Sequence, residues 1–220
     1  MRELALFPDF AAYQFLLRPH GPDDPLNLDN YNNLLPLEKA LVAHSVTIRK
    51  AEFGDGRWCA HQALKELGRD TGSPILRGDR GMPLWPAAVS GSLTHTNGYR
   101  GAVVAPRLLV RSLGLDAEPA QPLPGDVVGA VTLPSERQFI EQVRSTLPYV
   151  DRLIFCAKEA TYKAWFPVTH RWLGFEDAEV EIRMDGTFTA HLSIRPTPFA
   201  AIEGKWIVRD GFIITSTVVA

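Results

Sequence analysis

The feature that most constrains the fold is the alternation of apolar and polar residues from about residue 179 to the end of the chain. Strand side chains point to opposite faces in turn, so this alternation predicts half-buried β-strands. Four such stretches follow one another, at Val180–Arg183, Thr187–Leu192, Gly204–Arg209 and Phe212–Val219. We therefore expect a meander of strands in this part of the chain.

Helical spacing of apolar residues occurs ahead of these strands. One helix is expected from about Pro36 to Gly68, interrupted near Phe53–Gly56, because glycine weakens a helix. A second helix is expected from about Arg152 to Phe166, closed by Pro167. A shorter helix opens at Ser135, whose hydroxyl suits an N-cap.

Two short strands, Gly101–Ala105 and Ser112–Leu115, flank Pro106-Arg107 and are expected to form a hairpin. Segments rich in glycine or proline are expected to be irregular. These are residues 1–35 (broken at Arg18–Pro25), 69–91 and 119–129. Helix, two strands, helix and further strands, in that order, predict an α+β fold.

Composition narrows the function classes. The chain has 220 residues, of which 45% are hydrophobic and 22% charged, as in ordinary globular proteins. Its net charge of −2 gives no argument for nucleic-acid or membrane partners, so any anion site must be a local basic cluster. The apolar amino-terminal stretch is too short for a signal peptide. We expect a cytoplasmic protein, with Cys59 and Cys156 as reduced core residues.

The chemistry is indicated by two charged groups of residues. Asp116 and Glu118 follow a strand and point to the same side, whereas Glu159 and Lys163 lie one turn apart on a helix, beside Lys158. Three carboxylates brought together by the fold repel each other unless a hard cation such as Mg²⁺ lies among them. Lysines beside such a cation indicate a phosphate or diphosphate substrate. The sequence therefore predicts magnesium-assisted phosphoryl transfer.

The residues alone also allow ordinary interpretations. A Glu–Lys pair at this spacing is usually a solvated helix pair, and an Asp-x-Glu at a strand end is often an exposed turn. His95 and Ser92 are expected in a small polar loop, where the histidine could simply bond the backbone. Arg49 and Arg57, eight residues apart, could be surface arginines, and Trp85 and Trp172 are better explained as packing residues than as ligand platforms.

An ordered set of motifs resembles the phosphopantetheinyl transferases, in particular the single-chain type of actinobacterial fatty-acid, polyketide and siderophore pathways. The set spans about residues 45–180. Its members are Arg49–Phe53, Arg57–Ala60, Pro74–Gly81, Trp85-Pro86, Gly91–Thr96, Gly114–Glu118, Phe155–Pro167 and Trp172–Asp177. The resemblance implies transfer of the 4′-phosphopantetheine arm of coenzyme A to a serine of an apo acyl, polyketide or peptidyl carrier protein. The by-product would be 3′,5′-adenosine bisphosphate.

The resemblance also implies roles for the acidic residues and lysines. Asp116, Glu118 and Glu159 correspond to ligands of Mg²⁺, with Mn²⁺ as an alternative ion. Glu159 is the expected base, acting directly or through a metal-bound water, and Lys163 is expected to contact the diphosphate. Lys158 is a second candidate for that contact. Asp116, Glu159 and Lys163 form the expected catalytic set.

A second group of residues matches positions that bind the coenzyme A phosphates. It contains Arg49, Arg57 and His95, with Ser92 in the same segment as the histidine. Arg77 stands where related sequences often have lysine, which keeps the charge but changes the donor geometry.

The family is built of two similar α+β halves about a pseudo-twofold axis. For this chain that implies halves at 1–111 and 112–220, a cofactor and metal site in the cleft between them, and a monomer. The segment 165–171 is the expected carrier docking surface. Two other functions use the same residues: a metal-dependent phosphohydrolase, and a coenzyme A-binding module without activity, against which the retained acidic set argues.

Overall fold

This computed structural model describes residues 5–18 and 26–220. The chain divides into two compact units, Phe7–Leu113 with Ala220, and Gly114–Val219 with residues 5 and 6. Each unit packs a long helix on an antiparallel sheet, so the expected α+β fold with two similar halves is confirmed. The signal-peptide argument rests partly on residues 1–4, and the expected break falls mainly on residues 19–25; both segments lie outside the described residues.

The helices and strands are numbered in chain order. The helices are α1 Asp29–Asn32, α2 Pro36–Ala40, α3 Thr47–Glu66, α4 Gly125–Val131, α5 Pro134–Val143 and α6 Val150–Thr169. The strands are β1 Ala12–Leu17, β2 Leu76–Arg77, β3 Pro83–Leu84, β4 Val89–Thr96, β5 Tyr99–Pro106, β6 Ser112–Pro119, β7 Ala178–Ile182, β8 Thr187–Leu192, β9 Ala201–Arg209 and β10 Phe212–Val219.

In the amino-terminal unit, α3 covers a three-stranded sheet of order β1-β5-β4. All its pairs are antiparallel, with Ala12 opposite Val104 in β1/β5 and Val89 opposite Pro106 in β4/β5. One face of α3 is buried against the sheet because its small and apolar residues recur at helical spacing. These core residues are Cys59, Ala60, Ala63 and Leu64.

Helix α3 runs without a break through Gly54 and Gly56, contrary to the expected interruption there. The break lies instead between α2 and α3, at residues 41–46. A Cβ on Gly54 would lie 2.4 Å from the backbone nitrogen of Tyr31, whereas one on Gly56 would meet nothing within 4 Å. Gly54 is therefore explained by the close approach of α1, not by a kink.

In the carboxyl-terminal unit, α6 packs on a five-stranded sheet of order β6-β10-β9-β8-β7. The four strands expected after residue 179 are confirmed, and they pair in sequence as an antiparallel meander. Apolar residues of α6 form the core with inward-facing strand residues. The main members are Leu153, Ile154, Ala157, Phe188 and Ile213.

The expected hairpin between β5 and β6 is wrong. β5 pairs with β4 and β1, whereas β6 pairs with β10 from the far end of the chain. Adjacency in sequence favoured the hairpin, but β6 belongs to the other sheet, and its pairing is therefore long-range. Pro167 also lies inside α6, which ends two residues later before the left-handed His170. A proline in the last turn disturbs few helical hydrogen bonds, so it did not end the helix.

Some segments expected to be irregular are ordered. β1, α1 and the small β2/β3 ladder lie within them, and β4 and α4 begin within them. α5 begins at Pro134, and its cap is not the hydroxyl of Ser135, which donates to Glu179 Oε1 at 2.5 Å. The Leu133 N–H instead donates to the Glu136 carboxylate at 2.7 Å. The side chain three residues into the helix thus does the capping.

Both cysteines are buried free thiols, as expected. Burial raises the pKa of Cys59 to about 12 and also raises the pKa of Cys156. A raised pKa leaves little reactive thiolate, in keeping with their role as small core residues. Among residues 5–18 and 26–220, no helix has the length and apolar character needed to cross a membrane.

Candidate active site

Strand β6 presents the two acidic residues of the Asp-x-Glu pair. Gly114, Asp116 and Glu118 alternate along the strand and therefore share one face. A Cβ on Gly114 would lie 1.9 Å from the carbonyl oxygen of Ala160 in α6, so the missing side chain lets the helix approach this face closely. Asp116 is only 5% exposed, which places its carboxylate inside the protein.

Helix α6 presents Glu159 and Lys163 one turn apart, as the spacing predicts. The Lys163 ammonium donates to Asp116 Oδ1 at 2.6 Å and to the Leu115 carbonyl at 3.1 Å. The fold thus brings an acidic residue of β6 into contact with a basic residue almost fifty positions later. Lys163 supplies positive charge at the place where the sequence predicts a cation.

The electrostatics of the acidic residues reflect their crowding. Burial raises the pKa of Glu159, the Asp116 and Glu118 carboxylates raise it further, and Lys163 opposes the rise. Burial and Asp116 also raise the pKa of Glu118, although Arg152 and Lys163 lower it. These carboxylates therefore destabilise each other's charged forms, which is the situation that a bound cation relieves.

The three acidic side chains Asp116, Glu118 and Glu159 are not arranged as a closed set of metal ligands. Within the described part of the chain, no three His, Cys, Asp or Glu side chains are already gathered as ligands would be. Asp116 is bound by Lys163, and Glu118 Oε2 accepts a hydrogen bond from Arg152 at 2.9 Å. Oxygen donors of this kind nevertheless fit Mg²⁺, which usually binds one or two carboxylates directly and keeps several waters, through which a further carboxylate can hold it.

Lys158 lies in a different environment from the one expected. Its ammonium is buried and donates to Glu136 Oε2 at 2.7 Å and to the Phe175 carbonyl at 2.8 Å. Glu136 also accepts from the Val180 N–H at 2.7 Å. Burial lowers the pKa of Lys158, against the opposing effect of Glu136. The pair therefore ties α6 to α5 and β7, a structural role in place of the expected diphosphate contact.

A basic cluster lies in the amino-terminal unit. Arg49 and Arg57 share the continuous helix α3, and Arg49 Nη1 lies 2.6 Å from His95 Nε2. Arg57 and Arg77 both lie over the ring of Phe53, at 4.5 and 5.0 Å from its centroid. Burial lowers the pKa of Arg77, and Arg49 lowers it further. Like charges held this close favour binding of an anion.

Arg57 is held by a buried acid that the sequence did not single out. The Arg57 Nε lies 3.8 Å from Glu38 Oε1, and Glu38 is fully buried. The same carboxylate contacts His61 Nε2 at 2.9 Å and accepts from the Ile75 N–H at 2.9 Å. Burial lowers the pKa of Arg57 to about 10, although Glu38 opposes this. Only long-range packing reveals Glu38, because its sequence neighbourhood carries no motif.

His95 and Ser92 lie on strand β4, not in the polar loop expected for them. His95 is exposed near the end of the strand, whereas Ser92 is only 3% exposed. Arg57 is equally buried, at 4% exposed, so burial does not separate the two residues. Arg49, Arg57, Arg77 and His95 form the basic cluster, and Ser92 lies on the same strand as His95.

Known families match both units of the chain. Residues 37–105 match the family model of the 4′-phosphopantetheinyl transferase N-terminal domain, and residues 112–216 match that of the 4′-phosphopantetheinyl transferase superfamily. The 4′-phosphopantetheinyl transferase PptT of Mycobacterium tuberculosis is 46% identical over 194 residues, covering 84% of this chain and 85% of that protein. The chain belongs to the 4′-phosphopantetheinyl transferase family.

Further relatives of this transferase agree. The 4′-phosphopantetheinyl transferase Npt of Nocardia iowensis is 45% identical over 195 residues, covering 82% of this chain and 87% of that protein. Enterobactin synthase component D of Salmonella typhimurium is 32% identical over 177 residues, covering 76% of this chain and 70% of that protein. The chain is therefore an enzyme that transfers 4′-phosphopantetheine from coenzyme A to carrier proteins, as the resemblance implied.

A small cavity of about 100 Å³ lies beside Glu159 of the transferase. Its walls come from α6 and from the segment after it, and they are mainly apolar. Trp172 lines it and is 55% exposed, with its ring 5.1 Å from that of Tyr162. Trp172 thus packs on another aromatic ring at the surface, whereas Trp85 packs on the core of its unit, and both contacts agree with the expected packing role.

The expected docking segment 165–171 presents less surface than its sequence indicates. Trp165 and Phe166 are buried, and both guanidinium nitrogens Nη1 and Nη2 of Arg171 donate to carbonyls of residues 195 and 196. His170 and the neighbouring Trp172 are the exposed residues here. A contact of Phe166 with a carrier protein is therefore not supported.

Proposed function

We propose that this transferase uses the Asp116, Glu118 and Glu159 carboxylates to hold Mg²⁺ and Lys163 to bind the diphosphate of coenzyme A. The observation that carries the proposal is the 2.6 Å contact between the Lys163 ammonium and Asp116. It brings a cation into an acidic group whose members raise each other's pKa values. An acidic group that already attracts one cation is suited to a metal ion. Mn²⁺, another hard ion, is the alternative.

A bound Mg²⁺ would offset the negative charge that develops on the 5′-phosphate of the departing 3′,5′-adenosine bisphosphate as the bond between the two phosphates breaks. The chain itself supplies the other functions. Lys163 would donate from its ammonium to a diphosphate oxygen, since it is the basic residue of α6 in contact with the acidic group. Glu159 would accept the proton of the carrier serine hydroxyl as that oxygen attacks the β-phosphorus. Its raised pKa brings it closer to neutral pH, where a general base works best.

We further propose that the basic cluster of the amino-terminal unit binds the other phosphates of coenzyme A. Arg49, Arg57 and Arg77 can each offer a guanidinium fork, and His95 can offer a ring N–H. The halves 1–111 and 112–220 would then divide the work: nucleotide phosphates in the first, diphosphate and chemistry in the second. The mainly apolar cavity of about 100 Å³ beside Glu159 would accept only part of the pantetheine arm, whose chain carries two amides and a hydroxyl as well as apolar groups.

The proposed protein substrates are apo acyl, polyketide and peptidyl carrier proteins, modified on a serine with release of 3′,5′-adenosine bisphosphate. The likeness to enterobactin synthase component D supports including carriers of siderophore assembly. We propose that the enzyme acts as a cytoplasmic monomer, without nucleic-acid or membrane partners. Analytical ultracentrifugation of the pure enzyme tests the monomer.

The test of the function is intact-mass spectrometry of a carrier protein incubated with the enzyme, coenzyme A and Mg²⁺. The expected product is a carrier heavier by one phosphopantetheine arm. Glu159→Gln, Asp116→Asn and Lys163→Met should each lower turnover at least about 100-fold, as loss of a metal or an electrostatic stabiliser does. Glu141→Gln is the matched control, because that carboxylate is exposed on α5. Phosphate release without carrier modification would instead identify a hydrolase.

The phosphate cluster requires a different readout. Arg49→Ala and Arg77→Ala should raise the KM for coenzyme A with little change in kcat, because they would bind substrate and transition state alike. Arg69→Ala, an exposed arginine just beyond α3, is the control. Unchanged KM in both variants, with a normal control, would contradict the phosphate assignment and leave the metal assignment standing.

A further inference from the structure

Arg152, near the start of α6, is held by three groups at once. Its Nη1 donates to Glu118 Oε2 at 2.9 Å, its Nε to the Gln121 carbonyl at 2.8 Å, and its Nη2 to the Pro122 carbonyl at 3.0 Å. Its side chain is only 12% exposed. A guanidinium bonded through all three nitrogens has one orientation, so it also defines where the Glu118 carboxylate lies.

The neighbouring residue acts on the same segment. Asp151 is 3% exposed, and its Oδ1 accepts from the Leu123 N–H at 3.3 Å and from the Arg152 N–H at 2.7 Å. The first turn of α6 therefore binds the segment that follows β6 through two side chains, the Asp151 carboxylate and the Arg152 guanidinium. This segment directly follows Glu118, whose backbone is thereby fixed together with its side chain.

The pairing is selective for one oxygen of Glu118. Arg152 binds Oε2, so the second oxygen, Oε1, remains to be directed at a cation. A ligating carboxylate commonly has such an outer partner, which orients it and reduces the entropy that it loses on metal binding. Arg152 would orient the Glu118 carboxylate in this way, a role that no sequence motif indicates.

We infer that Arg152 is a positioning residue that fixes Glu118 as a metal ligand. The inference rests on the proposed function, in which Glu118 binds Mg²⁺. Arg152 contacts neither substrate nor metal itself; it acts through the carboxylate and through the segment 119–123. Its contribution should therefore appear in metal affinity, measured without any turnover.

The experiment is a titration of the full-length enzyme with Mn²⁺ alone, in which electron paramagnetic resonance measures the free ion. Arg152→Ala should weaken Mn²⁺ binding about 10- to 100-fold, the range found for outer partners of metal ligands. Arg152→Lys should fall between parent and Arg152→Ala, because lysine restores the charge but not the three-way fork. Arg144→Ala removes an exposed arginine that pairs with a carboxylate on α5, and it should leave affinity unchanged.

A double-variant cycle separates positioning from general damage to the fold. If Arg152 acts through Glu118, Mn²⁺ affinity of Glu118→Gln should not fall further when Arg152→Ala is added. Far-UV circular dichroism verifies that each variant is folded, and if Arg152→Ala is not, the lysine variant alone decides. Parent-like or tighter Mn²⁺ binding by the folded Arg152 variants would overturn the inference, tighter binding indicating that Arg152 competes with the metal.

Failure of the underlying function gives a different result. If Glu118→Gln binds Mn²⁺ as the parent does, Glu118 is not a ligand, and both the metal assignment of Glu118 and the inference fall. If Glu118→Gln weakens binding and Arg152→Ala does not, only the inference falls. Fully additive losses in the double variant would also refute it, because Arg152 would then act independently of Glu118.

Discussion

Gly54 and Gly56 lie two residues apart in the same helix but have opposite surroundings. An alanine Cβ at Gly54 would lie 2.4 Å from the Tyr31 backbone nitrogen, 2.7 Å from its Cα and 3.0 Å from the Asn30 carbonyl carbon. The shortest of these is about 1 Å inside ordinary contact, and no flexible side chain is there to move away. At Gly56 an added Cβ meets nothing within 4 Å.

The two alanine variants should therefore change stability in opposite directions. Alanine gains about 0.8–1 kcal/mol over glycine in a helix interior, and Gly56→Ala should show this gain in full. At Gly54 the same gain is outweighed by overpacking of about 1–3 kcal/mol, at the upper end because the contacts are backbone. We expect Gly54→Ala to be destabilised by about 2 kcal/mol, so the variants should differ by about 3 kcal/mol.

Urea unfolding monitored by far-UV circular dichroism measures the overall change. Because the chain has two units, hydrogen exchange of peptides from α1 and α3 should accompany it, to localise the effect. Faster exchange in α1 of Gly54→Ala alone is the expected pattern. Equal stability of Gly54→Ala and Gly56→Ala would refute the packing of α1 on α3. If both variants were less stable than the parent, the interpretation of the two glycines as a helix break would be restored.

Three further predictions test the internal contacts. Gly114→Ala should lower thermal stability and transfer activity together, because its Cβ would force β6 about 1 Å or more from the Ala160 carbonyl of α6; normal activity would contradict this. Lys158→Met should destabilise the enzyme by about 3–5 kcal/mol by leaving Glu136 buried without a cation, and Lys158→Met combined with Glu136→Gln should regain part of the loss in chemical denaturation. Burial alone would raise the pKa of Glu38, but His61 and the Ile75 N–H hold that pKa below its usual value. The ionised Glu38 carboxylate therefore stabilises the folded protein above about pH 4.5, and this stabilisation is lost as pH falls through the lower folded-state pKa. Glu38→Gln should therefore lower stability by about 1–3 kcal/mol at pH 7 and converge with the parent in acid; a difference independent of pH would refute the linkage.

The local sequence pattern was sufficient to predict those elements whose geometry depends only on residues a few positions apart. The period-two pattern predicted the four carboxyl-terminal strands correctly, although burial alternates only in β7 and through most of β9. In β8 and β10, three and five consecutive residues are buried. The spacing of Glu159 and Lys163 likewise predicted their shared helix face. Both inferences need only the geometry of one element, which residues a few positions apart determine.

Errors arose where a residue's neighbour is distant in the chain. Gly54 was interpreted as a break because its partner, the backbone of α1, is more than twenty positions away. β6 was paired with β5 because they are adjacent, whereas its true partner is β10. Lys158 was a candidate for the diphosphate contact because Glu136, the partner that it has in the structure, carries no motif.

The sequence by itself determined the class of fold and the family, and it supplied the acidic and basic residues proposed to carry the chemistry, since these follow from short periodic patterns and short motifs. Only the tertiary structure decided which charges meet. In the folded protein the ion pairs are Asp116 with Lys163, Glu118 with Arg152, Lys158 with Glu136, and Arg57 with Glu38. The physical reason is that a buried charge must find an opposite charge or hydrogen-bond partners in space, and the packing of helices on sheets, not sequence order, decides which one is near.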